Sequence, residues 1–254
     1  MFSIAGLTVI LTSFIGFTVF NRALDMNLLP APKKYTGTTR FKWRNVMGSM
    51  LHAAIAACLG LIVRYRSPEY LQDLIGTYTQ LGEITIAISV GYFIYDCADL
   101  IKCNGMTNTW PLVLHHCLAG FFAASFLYMQ RLAGYAIFTI VAEINSVFLH
   151  GRQLLLMYEV PTDSRLYKVN SIINVFTYII YRLTPFAMLV PVALKDRHKM
   201  PPFYATSLSI GSFVLLVINV VLFYRLIKRD FLSSKNEAVK QRDDIMDTTV
   251  TPNR

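Results

Sequence analysis

Charge is scarce in this 254-residue chain: Asp, Glu, Lys and Arg make up 15% and apolar residues 54%. A soluble domain carries about a quarter of its residues charged. So little charge, with a positive mean hydropathy, excludes a water-soluble globule and indicates a membrane protein. Cysteine is sparse as well. Cys58, Cys97, Cys103 and Cys117 are scattered without a Cys-x-x-Cys pair, so neither a disulfide framework nor a zinc site is indicated. The chain has no HExxH and no His-x-x-x-His, so a resident metal is not expected. It also lacks an Asn-x-Ser/Thr sequon, an internal repeat, a prenylation box and a KDEL-type ending.

What the chain has is long apolar runs. A helix needs about 20 mostly apolar residues to cross the hydrocarbon core, because every backbone group must be satisfied within it. Seven runs qualify, at roughly 2–20, 45–64, 80–101, 111–129, 132–156, 170–194 and 203–227. Residues 2–20 lack the basic start of a cleaved signal peptide, with Arg22 following the run instead, and are read as a retained helix. The expected fold is all-α: a multi-pass bundle with one amino-terminal helix and linker (1–39), a six-helix core (40–231) and a polar, disordered tail (232–254). The linker "LLPAPKKYTG" at 28–37 is expected to leave the first helix loosely attached.

The net charge of +9 would suggest a nucleic-acid partner in a soluble protein. Here Lys and Arg cluster between the apolar runs, so they are topology determinants and lipid-headgroup contacts. Arg22, Lys33, Lys34, Arg40, Lys42 and Arg44 fall on one side with the basic tail, which places the carboxyl terminus in the cytosol.

Ionisable residues inside an apolar span are costly, about 2.5–3.5 kcal/mol each on insertion scales, and by default face the bundle interior or a cavity. In the third run Tyr92, Asp96 and Asp99 share one face at i, i+4 and i+7. The fourth opens near Trp110 and Pro111, with Pro suited to a first helical turn. His115 and His116 then lie only about 6–8 Å inside the boundary, at the depth of the two aspartates. The fifth carries Glu143, Ser146 and His150. The sixth carries Asn170, Asn174, Thr177, Tyr178 and Tyr181, with Arg182 beside them and Pro185 set to kink the helix. Such groups either hydrogen-bond between helices or line a common pocket in the cytosolic half. In a chemical role, a histidine would act as general base toward a hydroxyl or amine, oriented by Asp96 or Asp99. A lipid acyl group is the expected substrate class, since a pocket inside the bilayer meets lipids first.

The segments "GYFIYDCADLI", "WPLVLHHCLAG" and "YKVNSIINVFTYIIYRLTPF", closed by "YRLIKRDF", resemble the TLC domain (TRAM, LAG1 and CLN8 homology) from about Arg40 to Phe231. Within that family the likeness is to the subgroup of TLC domain-containing proteins 1 and 2. The wider family includes ceramide synthases, which join fatty acyl-CoA to a sphingoid base and whose motif opens with a His pair, matched by His115 and His116. A later His-Asp and second Asp of that motif are replaced by Ala142-Glu143 and Ser146. The resemblance to the subgroup implies a plasma-membrane protein that limits incorporation of polyunsaturated, fluidising acyl chains into phospholipids, without a cofactor and not necessarily as an enzyme. Its expected partners are membrane phospholipids or fatty acyl chains; the sequence points to no particular protein partner. Two alternatives stay open: a sphingoid-base N-acyltransferase using acyl-CoA as co-substrate, with the endoplasmic reticulum as the alternative compartment, and a non-catalytic membrane scaffold or channel-associated protein.

Overall fold

The computed structural model describes residues 1–232, so 233–254, most of the expected polar tail, lie outside the described residues. Among the described residues all regular structure is helical. Seven segments are long and apolar enough to cross a membrane: Ile4–Asp25, Arg40–Arg66, Gln80–Asn104, Leu112–Met129, Ala133–Met157, Arg165–Lys199 and Pro202–Asp230. They coincide with the seven runs expected from hydropathy, and the protein is a multi-pass helical bundle. The chain divides into two compact units, Met1–Pro161 and Thr162 onward.

The first unit holds α1 (Ile4–Asp25), α2 (Arg40–Arg66), α3 (Gln80–Asn104), α4 (Met106–Met129), α5 (Ala133–Ile140) and α6 (Glu143–Met157). Helix starts are set by side-chain caps: the Ser3 hydroxyl accepts from the Gly6 amide at 2.7 Å and the Thr79 hydroxyl from the Gly82 amide at 3.1 Å. Gly105 ends α3 and precedes α4 with φ +74°, a conformation that needs no Cβ. Because the turn falls there, α4 begins at Met106 and Pro111 sits inside the helix rather than in its first turn. Only the first four amides of a helix lack a ladder partner, so Pro111 removes one bond just beyond them.

Helix α3 is the centre of this unit. It packs on α1, α2, α4 and α5, while α2 packs on α6. The core joins Ile86, Ala87 and Val90 of α3 to Val63 of α2, Ala123 and Leu127 of α4, and Ala133 and Ile137 of α5. The first helix is not loosely attached. A Cβ on Gly91 would stand 2.7 Å from Ser13 Cβ and against the Ile10 carbonyl, so the missing side chain is what lets α1 close on α3. The Ser13 hydroxyl donates to the Ile88 carbonyl across that contact at 2.7 Å. The fifth apolar run is broken into α5 and α6 at Val141–Ala142.

The second unit holds α7 (Arg165–Tyr178), α8 (Thr184–Asp196) and α9 (Pro202–Ile227). Ser164 caps α7 by accepting from the Tyr167 amide at 3.2 Å. Between α7 and α8 the helix widens to a π-turn over Ile179–Leu183, which ends two residues before Pro185. The proline ring has no amide proton and crowds the carbonyl four residues back, so the wider turn relieves the clash expected there. The Ile179 carbonyl accepts the Thr184 amide across the wide turn, and the Thr184 hydroxyl donates to the same oxygen at 2.9 Å.

Candidate functional site

The polar residues of the first unit meet on the facing sides of α2, α3 and α4. Asn45, Ser49 and His52 of α2 fall at i, i+4 and i+7, and Tyr92, Asp96 and Asp99 repeat that spacing on α3. Each stripe turns toward the other helix, which lets buried polar groups find partners that lipid tails cannot supply.

Asp96 is buried, 1% exposed. Its Oδ1 accepts from Asn45 Nδ2 at 2.6 Å, and its Oδ2 lies 2.9 Å from His116 Nδ1 on α4. That second approach is at ion-pair distance, but neither atom gains a well-aligned hydrogen bond from it. His116 is itself buried, its ring against Phe93 with centroids 5.1 Å apart and edge-on to Tyr92 at 5.9 Å. His115, one residue earlier, is exposed, with its ring centroid 5.5 Å from that of His116. Adjacent helical positions point about 100° apart, so one imidazole of the pair enters the bundle and the other stays on its outside.

Toward the helix end, Asp99 takes two contacts from Arg44 Nη2, at 3.0 and 3.2 Å. The other terminal nitrogen of Arg44 is paired with Asp25 at the end of α1, and Nη2 also reaches Cys103 Sγ at 3.2 Å. One guanidinium thus ties α1, α2 and α3 together, using the fork geometry that Lys lacks. Deeper along the stripe, the Tyr92 and Ser49 hydroxyls are 2.9 Å apart. His52 stacks flat on Tyr92, centroids 4.0 Å apart and planes 8° from parallel, and its Nε2 is 3.1 Å from Ser89 Oγ.

On α6, Ser146 is buried and Glu143 and His150 are half-buried. Glu143 and His150 lie within electrostatic reach of His52, as do Asp96 and His116. His150 Nδ1 is 3.1 Å from Gln153 Oε1. The stripe expected on the sixth run belongs to the second unit. There the buried Tyr178 hydroxyl donates to Asn219, 3.2 Å from both its backbone and side-chain oxygens, and the Arg182 guanidinium lies over the Tyr178 ring at 5.4 Å. Asn174 is buried, and Asn170 and Tyr181 are partly so.

The structure therefore brings Tyr92, Asp96 and His116 together, holds Asp99 on Arg44, the residue before Asn45, and sets Glu143 and His150 near His52. The residues that sequence reasoning missed, Arg44, Asn45, Ser49 and His52, all lie on α2. Chemically, a carboxylate 2.9 Å from Nδ1 puts a negative charge beside the imidazole, and a small ring rotation that aligned the two would leave Nε2 as the acceptor, as a general base requires. No group of three or more His, Cys, Asp or Glu among the described residues is placed to hold a metal ion.

Residues 42–228 match the TLC domain family (TRAM, LAG1 and CLN8). The chain is 33% identical over 209 residues to TLC domain-containing protein 2 of Danio rerio, covering 82% of this chain and 84% of the relative. It is 26% identical over 243 residues to TLC domain-containing protein 1 of Rattus norvegicus, covering 93% and 95%. Against human TLC domain-containing protein 2 it is 27% identical over 232 residues, covering 91% and 86%. No solved structure matches the chain. With the matched domain spanning most of the sequence and seven segments among the described residues long and apolar enough to cross a membrane, the protein belongs to the TLC domain family of multi-pass membrane proteins.

Proposed function

We propose that the protein regulates the acyl composition of membrane phospholipids, limiting the entry of polyunsaturated chains, and that the Asp96–His116 pair lies at the site where it engages lipid. The observation that carries this reading is that pair itself: a carboxylate 1% exposed and an imidazole 8% exposed, facing each other inside apolar helices. Such groups are expensive in a bilayer and are kept where they do something. The exposed His115 beside them gives the site a polar edge on the outer surface of α4. Phospholipids or their fatty acyl chains are the partners, and on this reading the protein works in the plasma membrane with its basic tail in the cytosol.

A second reading has a specific observation in its favour. The His116 imidazole, 2.9 Å from the Asp96 carboxylate, suits a general base that would deprotonate an amine or hydroxyl for attack on an acyl-CoA thioester. Against it stands the sequence "VAEINSV", where Ala142, Glu143 and Ser146 occupy the positions of the expected His-Asp and second Asp. Lipid analysis of cells lacking the protein, fed a polyunsaturated fatty acid, tests the first reading: polyunsaturated phospholipids should rise and membrane order should fall. An unchanged lipid profile overturns it. Formation of an N-acyl sphingoid base from acyl-CoA by the purified protein would establish the second, and no product where a ceramide synthase works in parallel would dismiss it.

A further inference from the structure

The four cysteines are all free thiols, yet two of them form a pair across a helix interface. Cys97 of α3 and Cys117 of α4 have their sulfurs 3.9 Å apart. Each directly follows one member of the Asp96–His116 pair in sequence. Cys103 differs, being held by Arg44 at 3.2 Å and Asp99 at 3.7 Å. The other contact of Cys97 is a long one, 3.8 Å to the Val113 carbonyl. A disulfide needs the two sulfurs at about 2.05 Å, so the remaining approach is the scale of a side-chain rotation on helices already packed together.

Location indicates the oxidant. Cys117 is exposed on the membrane-crossing segment Leu112–Met129. It lies six residues into the apolar run that opens at Pro111, about 9 Å along the helix from the start of that run. In a membrane this surface meets the upper part of the acyl chains. A hydroperoxide group on an acyl chain is polar, is costly to bury in hydrocarbon, and so is drawn toward the same level.

We propose that Cys97 and Cys117 form a dithiol site that reduces acyl-chain hydroperoxides of membrane lipids and closes to a disulfide. The Cys117 sulfur attacks the terminal oxygen of the hydroperoxide, the O–O bond breaks, and the departing alkoxide takes the thiol proton to leave as the lipid alcohol. Cys117 is then a sulfenic acid, the first step of thiol oxidation. The Cys97 sulfur attacks it, the S–S bond forms, the S–O bond breaks, and hydroxide leaves as water with the Cys97 proton. The two sulfurs lose two electrons between them and the hydroperoxide gains two. Closure would pin α3 to α4 one residue beyond Asp96 and His116, coupling lipid oxidation to that site. The inference requires only the membrane-spanning fold and stands apart from the reading of phospholipid composition above.

The test uses the full chain in nanodiscs of a monounsaturated phosphatidylcholine doped with phosphatidylcholine hydroperoxide. Reactive thiols should fall from four to two, with one hydroxy-lipid formed per protein and a Cys97–Cys117 cross-linked peptide seen by mass spectrometry. Cys117→Ser should abolish both changes, Cys97→Ser should leave a dimedone-trapped sulfenic acid at Cys117, and Cys58→Ser should change neither product. The mapped peptide from the unsubstituted protein stands even where a variant folds poorly. If diamide closes the pair and the hydroperoxide does not, the substrate class is wrong. Four intact thiols under both reagents, or a bridge involving Cys58 or Cys103, overturns the site itself.

Discussion

Replacing Arg44 with Met should destabilise the first unit by about 3 kcal/mol. Arg44 is 8% exposed and makes two contacts of 3.0 and 3.2 Å to Asp99, whose side chain is 13% exposed. Removing one member of a buried ion pair costs about 3–5 kcal/mol, because the charge left behind has lost both water and counter-ion. The second partner, Asp25, keeps 40% of its side chain exposed and adds at most about 1 kcal/mol, the worth of a surface pair. Partial exposure of Asp99 keeps the sum at the lower end. The discriminating step is Arg44→Met combined with Asp99→Asn, which removes both charges and should return to within about 1 kcal/mol of the wild type. Unfolding in mixed micelles with increasing SDS provides the assay, followed by fluorescence of Trp43, fully buried beside Arg44. A loss below about 1 kcal/mol for Arg44→Met, or a double variant whose loss equals the sum of the singles, would refute the assignment of Arg44 as the buried tie between α1, α2 and α3.

Gly91→Ala should cost about 1–3 kcal/mol in the same assay, since the new Cβ would meet Ser13 Cβ at 2.7 Å, whereas Gly120→Ala, with its nearest neighbour Phe93 at 3.6 Å, should be close to neutral. Asn45→Leu leaves Asp96 Oδ1 without its donor at 2.6 Å and should cost about 1–3 kcal/mol; a variant as stable as wild type would show that the bond does not hold α2 to α3. Tyr178→Phe in the second unit removes the hydroxyl that donates to Asn219 and should lower stability by about 1 kcal/mol, read from thermal unfolding of the purified protein.

The seven spans were legible because hydropathy and length are what a bilayer imposes, and Ile4–Asp25 through Pro202–Asp230 follow from that ruler alone. The meeting of Asp96 with His116 was legible too, since depth and helical spacing bring the third and fourth spans together near one level. The α2 face was missed although Asn45, Ser49 and His52 carry the same i, i+4, i+7 spacing as the stripe on α3. Asn and Ser are weaker outliers in an apolar run than Asp, and one histidine among alanines gives no partner by itself. Arg44 was read as a topology charge because its partners, Asp25 and Asp99, come from different helices and no local spacing links them. The tight seating of α1 hung on one glycine in another helix, a feature invisible in the composition of α1 itself. The break at Val141–Ala142 lies in an apolar stretch with no Gly or Pro to mark it.

The role of the Asp96–His116 pair is tested most directly by rescue of lipid composition. Cells lacking the protein and supplied with a polyunsaturated fatty acid would be complemented, at matched expression, with wild type, His116→Gln, Asp96→Asn and the near-neutral Gly120→Ala. Wild type and Gly120→Ala are expected to restore low polyunsaturated phospholipid content, and the His116 and Asp96 variants to fail while retaining at least partial wild-type folding in SDS titration. Full restoration by folded His116→Gln or Asp96→Asn would contradict a functional role for the pair and leave it as a packing contact between α3 and α4.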